Sequence, residues 1–278
     1  MIDNYNNERS YNPRVSVKNY RLLLALSLKK SIRISNKLKR TTLYYGKGKL
    51  QNLDIYYSKI KKLQPIHIFI HGGYWRGLDK SFHSHMAKPF IDNGVTFFNL
   101  NYDLCPKVRL SDIRKQIVEG IIWIYRNSYK FYGNNKNIVI SGHSAGAHLV
   151  SQMINIDWKN YNLPKNLFKG AALISGIYNT EIVLDLSINK EIMLSEEEAI
   201  KNNTSRLVPY LKLPILMACG RFETYKWRMQ TLNYYKMLKK NSFNVKLLIN
   251  MPDNHFTLID AMAEKRHILF KNMLRLSR

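Results

Sequence analysis

Asn137-Ile138-Val139-Ile140-Ser141-Gly142-His143-Ser144-Ala145-Gly146 is the stretch from which the rest of the chain is read. Its β-branched first half predicts a buried strand, and residues 145–155 carry a helical pattern. Between them lies the spacing G-x-S-x-G. A strand-to-helix turn that holds a serine exposed in a strained conformation needs small residues two before and two after it. A helix beginning at such a turn aims its free N–H groups and positive dipole end at negative charge forming nearby. Ser144 is therefore a candidate nucleophile, and the Ala145 N–H a candidate donor to an oxyanion.

Outward from this turn, short apolar runs alternate with longer amphipathic ones, which predicts an α/β fold with a mostly parallel central sheet and helices on both faces. Strands are expected near 53–57, 66–70, 95–100, 137–141, 171–175, 215–219 and 245–250, and helices near 111–127, 145–155, 226–241 and 257–276. The 278 residues suit a single domain, 1–278. Residues 1–40, basic and partly amphipathic, read as an N-terminal arm or lid. Residues 177–212, with Glu196-Glu197-Glu198 and Pro209, read as a short cap insertion of the kind that sits over an active site.

Two cysteines, Cys105 and Cys219, lie far apart, so neither a disulfide framework nor a thiolate metal site is expected, and a cytoplasmic location is the simpler reading. No run approaches the ~20 apolar residues of a membrane span. Residues 22–28 follow basic residues as a signal peptide would, but Lys29-Lys30 stands where a cleavage site is needed, so a surface helix is expected. Lys and Arg number 44 against 19 Asp and Glu, a net charge of +25. The basic residues are scattered, as at Lys59–Lys62 and Lys236–Lys240, and accompany abundant Asn, Ile and Tyr. The excess is thus read as compositional, with no specific nucleic-acid partner, no membrane partner, and at most mild steering of anionic substrates.

His71-Gly72-Gly73-Tyr74-Trp75 follows the strand expected at 66–70. Glycines at a strand exit let N–H groups turn toward a ligand, so Gly72 and Gly73 join Ala145 as candidate oxyanion-hole residues. Of the eight histidines, only His255 and His267 come after Ser144 and the helix beside it. His255 leaves the strand expected at 245–250 and is the candidate base; His267 falls inside a helical pattern and reads as a surface residue. The orienting acid should follow a strand between Ser144 and His255. Glu223 does so, with Asp253 the alternative, while Asp157, Asp185 and Glu196–Glu198 read as solvated charges. Tyr74, Trp75 and Phe256 adjoin these loops and are candidate substrate-binding residues. His143 and His148 are expected to frame the serine turn. His83-Ser84-His85 lacks a third ligand, and no metal is expected.

The chain also carries Tyr11-Asn12-Pro13-Arg14, Asp79-Lys80-Ser81, Asn101-Tyr102-Asp103-Leu104-Cys105-Pro106 and Ser175-Gly176-Ile177-Tyr178. With the motifs above and in this order, it resembles the H-G-G-x-W branch of α/β-hydrolases, which is related to the hormone-sensitive-lipase-like esterases and includes the kynurenine formamidases (arylformamidases). The resemblance implies a sheet of about eight strands, a Ser144-His255-Glu223 triad, no cofactor, and often a homodimer. It implies a serine hydrolase whose partner is a small-molecule ester or formamide such as N-formylkynurenine, or else a general short-chain carboxylesterase. Lys226 departs from the family at a position that is commonly acidic; Trp227 follows it, and Ala147 replaces a frequent glycine. A reading of another class, polyanion binding on an inactive hydrolase scaffold, rests on net charge alone.

Overall fold

β-Branched and aromatic runs form eight strands in one sheet: β1 (Arg40–Tyr44), β2 (Asn52–Tyr56), β3 (Gln64–Ile70), β4 (Thr96–Leu100), β5 (Gly133–His143), β6 (Phe168–Ile174), β7 (Ile215–Gly220) and β8 (Val245–Met251). Their spatial order is β1-β2-β4-β3-β5-β6-β7-β8. β2 alone runs against its neighbours, and every other pair is parallel. This computed structural model describes residues 2–58, 60 and 62–278, with side chains from Asn7 onward. In the basic stretch at 59–62, Lys59 and Lys61 lie outside the described residues.

The helices are α1 (Ile2–Tyr11), α2 (Pro13–Ser16), α3 (Tyr20–Ser35), α4 (Ala87–Asp92), α5 (Leu110–Asn127), α6 (Ala145–Met153), α7 (Asn189–Ile192), α8 (Glu196–Asn202), α9 (Tyr225–Lys240), α10 (Thr257–Ala261) and α11 (Ile268–Arg275). Alternation along the strands makes two cores. Ile66, Ile68 and Ile70 of β3 meet Ile113, Ile117 and Ile121 of α5 and Trp227 and Tyr234 of α9 on one face of the sheet. Phe69 of β3 and Leu216 of β7 meet Phe90 of α4 and Leu269 and Phe270 of α11 on the other. A parallel sheet covered on both faces explains why its strands are continuously apolar.

Several features differ from the sequence expectation, among them the helix α4, which was not expected. β1 was not among the seven strands read from the chain, because its Arg-Thr-Thr-Leu-Tyr alternates at a half-exposed sheet edge. The helix expected at 257–276 is two helices. The His267 side chain accepts from the Leu269 N–H at 3.1 Å and caps α11, so it starts a helix instead of lying within one. Glu198 is buried rather than solvated, and its carboxylate accepts from the Ser111 N–H at 2.8 Å, tying α8 to the start of α5.

The N-terminal helices lie against the rest of the molecule. In α3 the buried residues are Ser27 and Ser31, with Leu22 and Leu26 exposed. Ser27 donates to the Phe82 carbonyl at 3.0 Å, and Ser31 lies 2.8 Å from His85 Nδ1. Cys105 and Cys219 are both buried, and burial pushes each thiol up to about 12. Among the described residues, no helix is long and apolar enough to cross a membrane, and no group of three or more His, Cys, Asp or Glu is placed to hold a metal ion.

Candidate active site

Ser144 sits between β5 and α6 with φ +57° and ψ −121°, a conformation costly for any residue with a Cβ. Its own N–H donates to the Ile174 carbonyl at 2.9 Å and holds the turn against β6. Gly146 permits the close approach behind it, since a Cβ there would stand 2.0 Å from the Ile70 carbonyl oxygen of β3. Ala145 is the first residue of α6, so its N–H has no carbonyl within the helix to satisfy.

The loop after β3 is equally constrained. Gly73 has φ +115°, and a Cβ there would meet the Gly77 carbonyl oxygen at 2.0 Å. Tyr74 and Trp75 follow with φ +52° and +56°. His71 anchors the loop: its ring stacks on Tyr102 at 4.2 Å, its Nδ1–H donates to the Gly72 carbonyl at 2.7 Å, and its Nε2 meets the Asn101 amide at 2.9 Å. The Tyr102 hydroxyl donates back to the His71 carbonyl at 2.9 Å. The Asn101-Tyr102 stretch thus supports the glycine loop.

His255, on the turn between β8 and α10, brings the two halves together. Ser144 Oγ lies 3.0 Å from its Nε2, and its Nδ1 lies 2.7 Å from Glu223 Oε1. A carboxylate at Nδ1 fixes the proton there and leaves the Nε2 lone pair facing the serine hydroxyl. The other Glu223 oxygen accepts from the Gly220 N–H at 2.7 Å. Asp253, the alternative acid, is turned away. Its carboxylate meets His267 at 3.2 Å and the Thr257 hydroxyl at 3.1 Å.

Ser175, at the end of β6, adds a contact that sequence reading did not anticipate. Its hydroxyl donates to Glu223 Oε1, lies 2.9 Å from His255 Nδ1, and accepts from the Trp227 indole N–H at 2.8 Å. The Trp227 ring also packs edge-on against His255 at 4.8 Å. The available sequence signal was Ser175-Gly176-Ile177-Tyr178, whose serine takes φ +51°.

The serine faces a cavity of about 30 Å3 lined by Gly72, Gly73, Tyr74, His143, His255 and Phe256, together with Leu78, Ile259 and three residues of the arm, Pro13, Arg14 and Leu24. Tyr74 and Phe256 therefore line it, whereas Trp75 is fully buried behind Tyr74 against His148. His143 packs on His255 with ring centroids 4.7 Å apart; burial, and then its closeness to His255, hold its pKa well below the usual range. His148 bonds the Asn202 carbonyl at 2.8 Å on the far side of α6. Hydrogen bonds fasten the arm over the mouth, and Glu8 of α1 also accepts from the Ser187 N–H and hydroxyl, both at 2.8 Å. Tyr74 Oη donates to the Tyr11 carbonyl, Thr224 Oγ1 to the Ser10 carbonyl at 2.5 Å, and Lys226 Nζ to Asn7 Oδ1 at 2.8 Å.

The chain is similar to known hydrolases. Residues 53–208 match the BD-FAE family. A kynurenine formamidase of Salmo salar is 31% identical over 239 residues, covering 84% of this chain and 80% of that protein. Among solved structures, a proposed thioesterase from Silicibacter sp. TM1040 superposes with a TM-score of 0.80 at 22% identity, covering 97% of this chain and 98% of the other. Esterase B from Lactobacillus rhamnosis superposes with a TM-score of 0.72 at 17% identity, covering 94% and 97%.

Proposed function

This chain belongs to the BD-FAE family of α/β-hydrolases, and on that footing we propose that it is a serine hydrolase cleaving carboxylic esters or aryl-formamides of the N-formylkynurenine type. The observation that carries the reading is the continuous chain from Ser144 Oγ through His255 to Glu223, at 3.0 Å and 2.7 Å, beside the Ala145 amide at the start of α6.

In this mechanism Ser144 Oγ attacks the carbonyl carbon of the substrate as His255 Nε2 takes its proton. Glu223 holds the imidazole in the correct tautomer and stabilises its positive charge. The carbonyl oxygen becomes an oxyanion and accepts from the N–H of Ala145 and from those of the Gly72-Gly73 loop. Loss of one such donor costs about 3–4 kcal/mol. The C–N or C–O bond then breaks while His255 gives its proton to the leaving amine or alcohol. Water attacks the formyl- or acyl-enzyme by the reverse path and releases formate or a carboxylic acid. The similarity to the Salmo salar kynurenine formamidase supports the formamide arm of the proposal.

A fluorophosphonate probe tests the nucleophile. The expected outcome is a single adduct at Ser144, absent in Ser144→Ala, with turnover of p-nitrophenyl acetate reduced by about 10^4-fold or more and an unchanged unfolding midpoint. Labelling elsewhere, or turnover that survives the substitution, would overturn the assignment. The alternative is a general short-chain carboxylesterase. Comparing kcat/KM for N-formylkynurenine with that for short acyl esters decides between the two.

A further inference from the structure

Arg14 lines the same cavity as Ser144 and His255, and among the described residues no hydrogen-bond acceptor or carboxylate partners its guanidinium. Its neighbours make that vacancy unusual. Arg76, close enough to repel it, is already engaged with Glu191 at 2.6 Å, and the Tyr20 ring lies 5.8 Å away. Among the described residues, Arg14, Arg76 and Glu191 therefore leave one positive charge uncompensated at the mouth. Half-burial makes that charge costly to keep unpaired.

The chain also invests in placing this side chain. Asn12 Oδ1 accepts from the Arg14 N–H at 3.1 Å, Pro13 opens α2 with its φ already set, and the Tyr11 carbonyl is bonded to Tyr74 of the glycine loop. The guanidinium lies beside Gly77, whose built Cβ would stand 3.7 Å from Arg14 Nη2, an ordinary contact. A planar donor fork lining the cavity of Ser144 and His255, with no acceptor among the described residues, is suited to a carboxylate, which it can bind with two parallel hydrogen bonds.

We propose that Arg14 determines specificity by binding a carboxylate on the substrate while the scissile carbonyl lies at Ser144, so that this site selects anionic esters or formamides over neutral ones. The assignment of the reacting end rests on the function proposed above; the recognition of the anion does not.

The test uses a matched pair with one ester each, 4-acetoxybenzoate and the neutral 4-acetoxybenzamide. The native protein should prefer the anion in kcat/KM by about tenfold or more at low salt, mostly through KM, and the preference should shrink as salt is added. Arg14→Met should lower that preference at least fivefold, and Arg14→Lys should keep part of it. A native preference at or below unity, or a fall of less than fivefold in Arg14→Met, overturns the proposal. Calorimetric binding of both compounds to Ser144→Ala protein reads recognition without turnover. Tighter binding of the anion there, with no serine-dependent turnover in the native protein, would sink the nucleophile and leave Arg14 standing. Equal affinities would sink Arg14 alone.

Discussion

At the Nδ1 edge of His255 two acceptors meet, the Glu223 carboxylate at 2.7 Å and the Ser175 hydroxyl at 2.9 Å. Only the carboxylate can stabilise an imidazolium, so Glu223→Gln should lower kcat by about 10^3–10^4-fold. Ser175→Ala removes one hydrogen bond to that carboxylate and should cost about tenfold. Asp253→Asn, acting on a group that faces His267 and Thr257, should stay within about threefold. Steady-state kinetics on the three variants check this ranking, and a larger loss in Asp253→Asn than in Glu223→Gln would reverse the roles. Ser144, His255 and Glu223 were legible in the sequence because each follows a strand and the chain order is characteristic of the fold. Ser175 and Trp227 were not. Their importance lies in a meeting between β6 and α9 across 52 residues of chain, and neither residue type announces it.

Among the elements, the arm formed by α1 and α2 is the one whose position bears most on access. It supplies Pro13 and Arg14 to the cavity, while α3 supplies Leu24, and a space of about 30 Å3 holds little more than a water or two. Substrate entry therefore requires the arm, or side chains under it, to give way. Pairing Tyr74→Phe with Thr224→Val cuts two of its ties to the glycine and Glu223 loops. The doubly substituted protein should lose its N-terminal segment to trypsin several-fold faster while the remaining fragment resists. An unchanged cleavage rate would mean that packing and the remaining bonds, Lys226 to Asn7 and Ser187 to Glu8, fasten the arm. The sheet and helices α5, α6 and α9 could be read from periodicity, since their buried faces are wide and regular. β1 could not, because a half-exposed edge strand carries too few apolar residues to mark itself. The break between α10 and α11 depends on a histidine acting as a cap, a role outside the usual Ser, Thr, Asp and Asn set.

For the whole molecule, pH acts through histidines sealed in the core. Burial lowers His67 to about 3 and His148 to about 4, against an ordinary value of 6.5. Below that ordinary value the unfolded chain takes up protons that the folded chain refuses. Stability is therefore full above pH 6.5 and is lost on acidification toward 4, at roughly 1.4 kcal/mol per pH unit for each such group. Urea midpoints should fall steeply from pH 6.5 to 5, and His148→Gln should flatten the slope. A slope untouched by that substitution would assign the acid sensitivity to other groups. The net charge of +25 adds self-repulsion that salt relieves, so these midpoints need comparison at one ionic strength.

The two native sulfhydryls, Cys105 and Cys219, are enclosed and resist ionisation, so the folded chain offers a maleimide dye almost nothing to react with. Val15, next to Arg14 and 43% exposed, faces outward from α2. Val15→Cys would give the molecule one addressable point, and fluorescence from a reporter there would follow each opening and closing in real time.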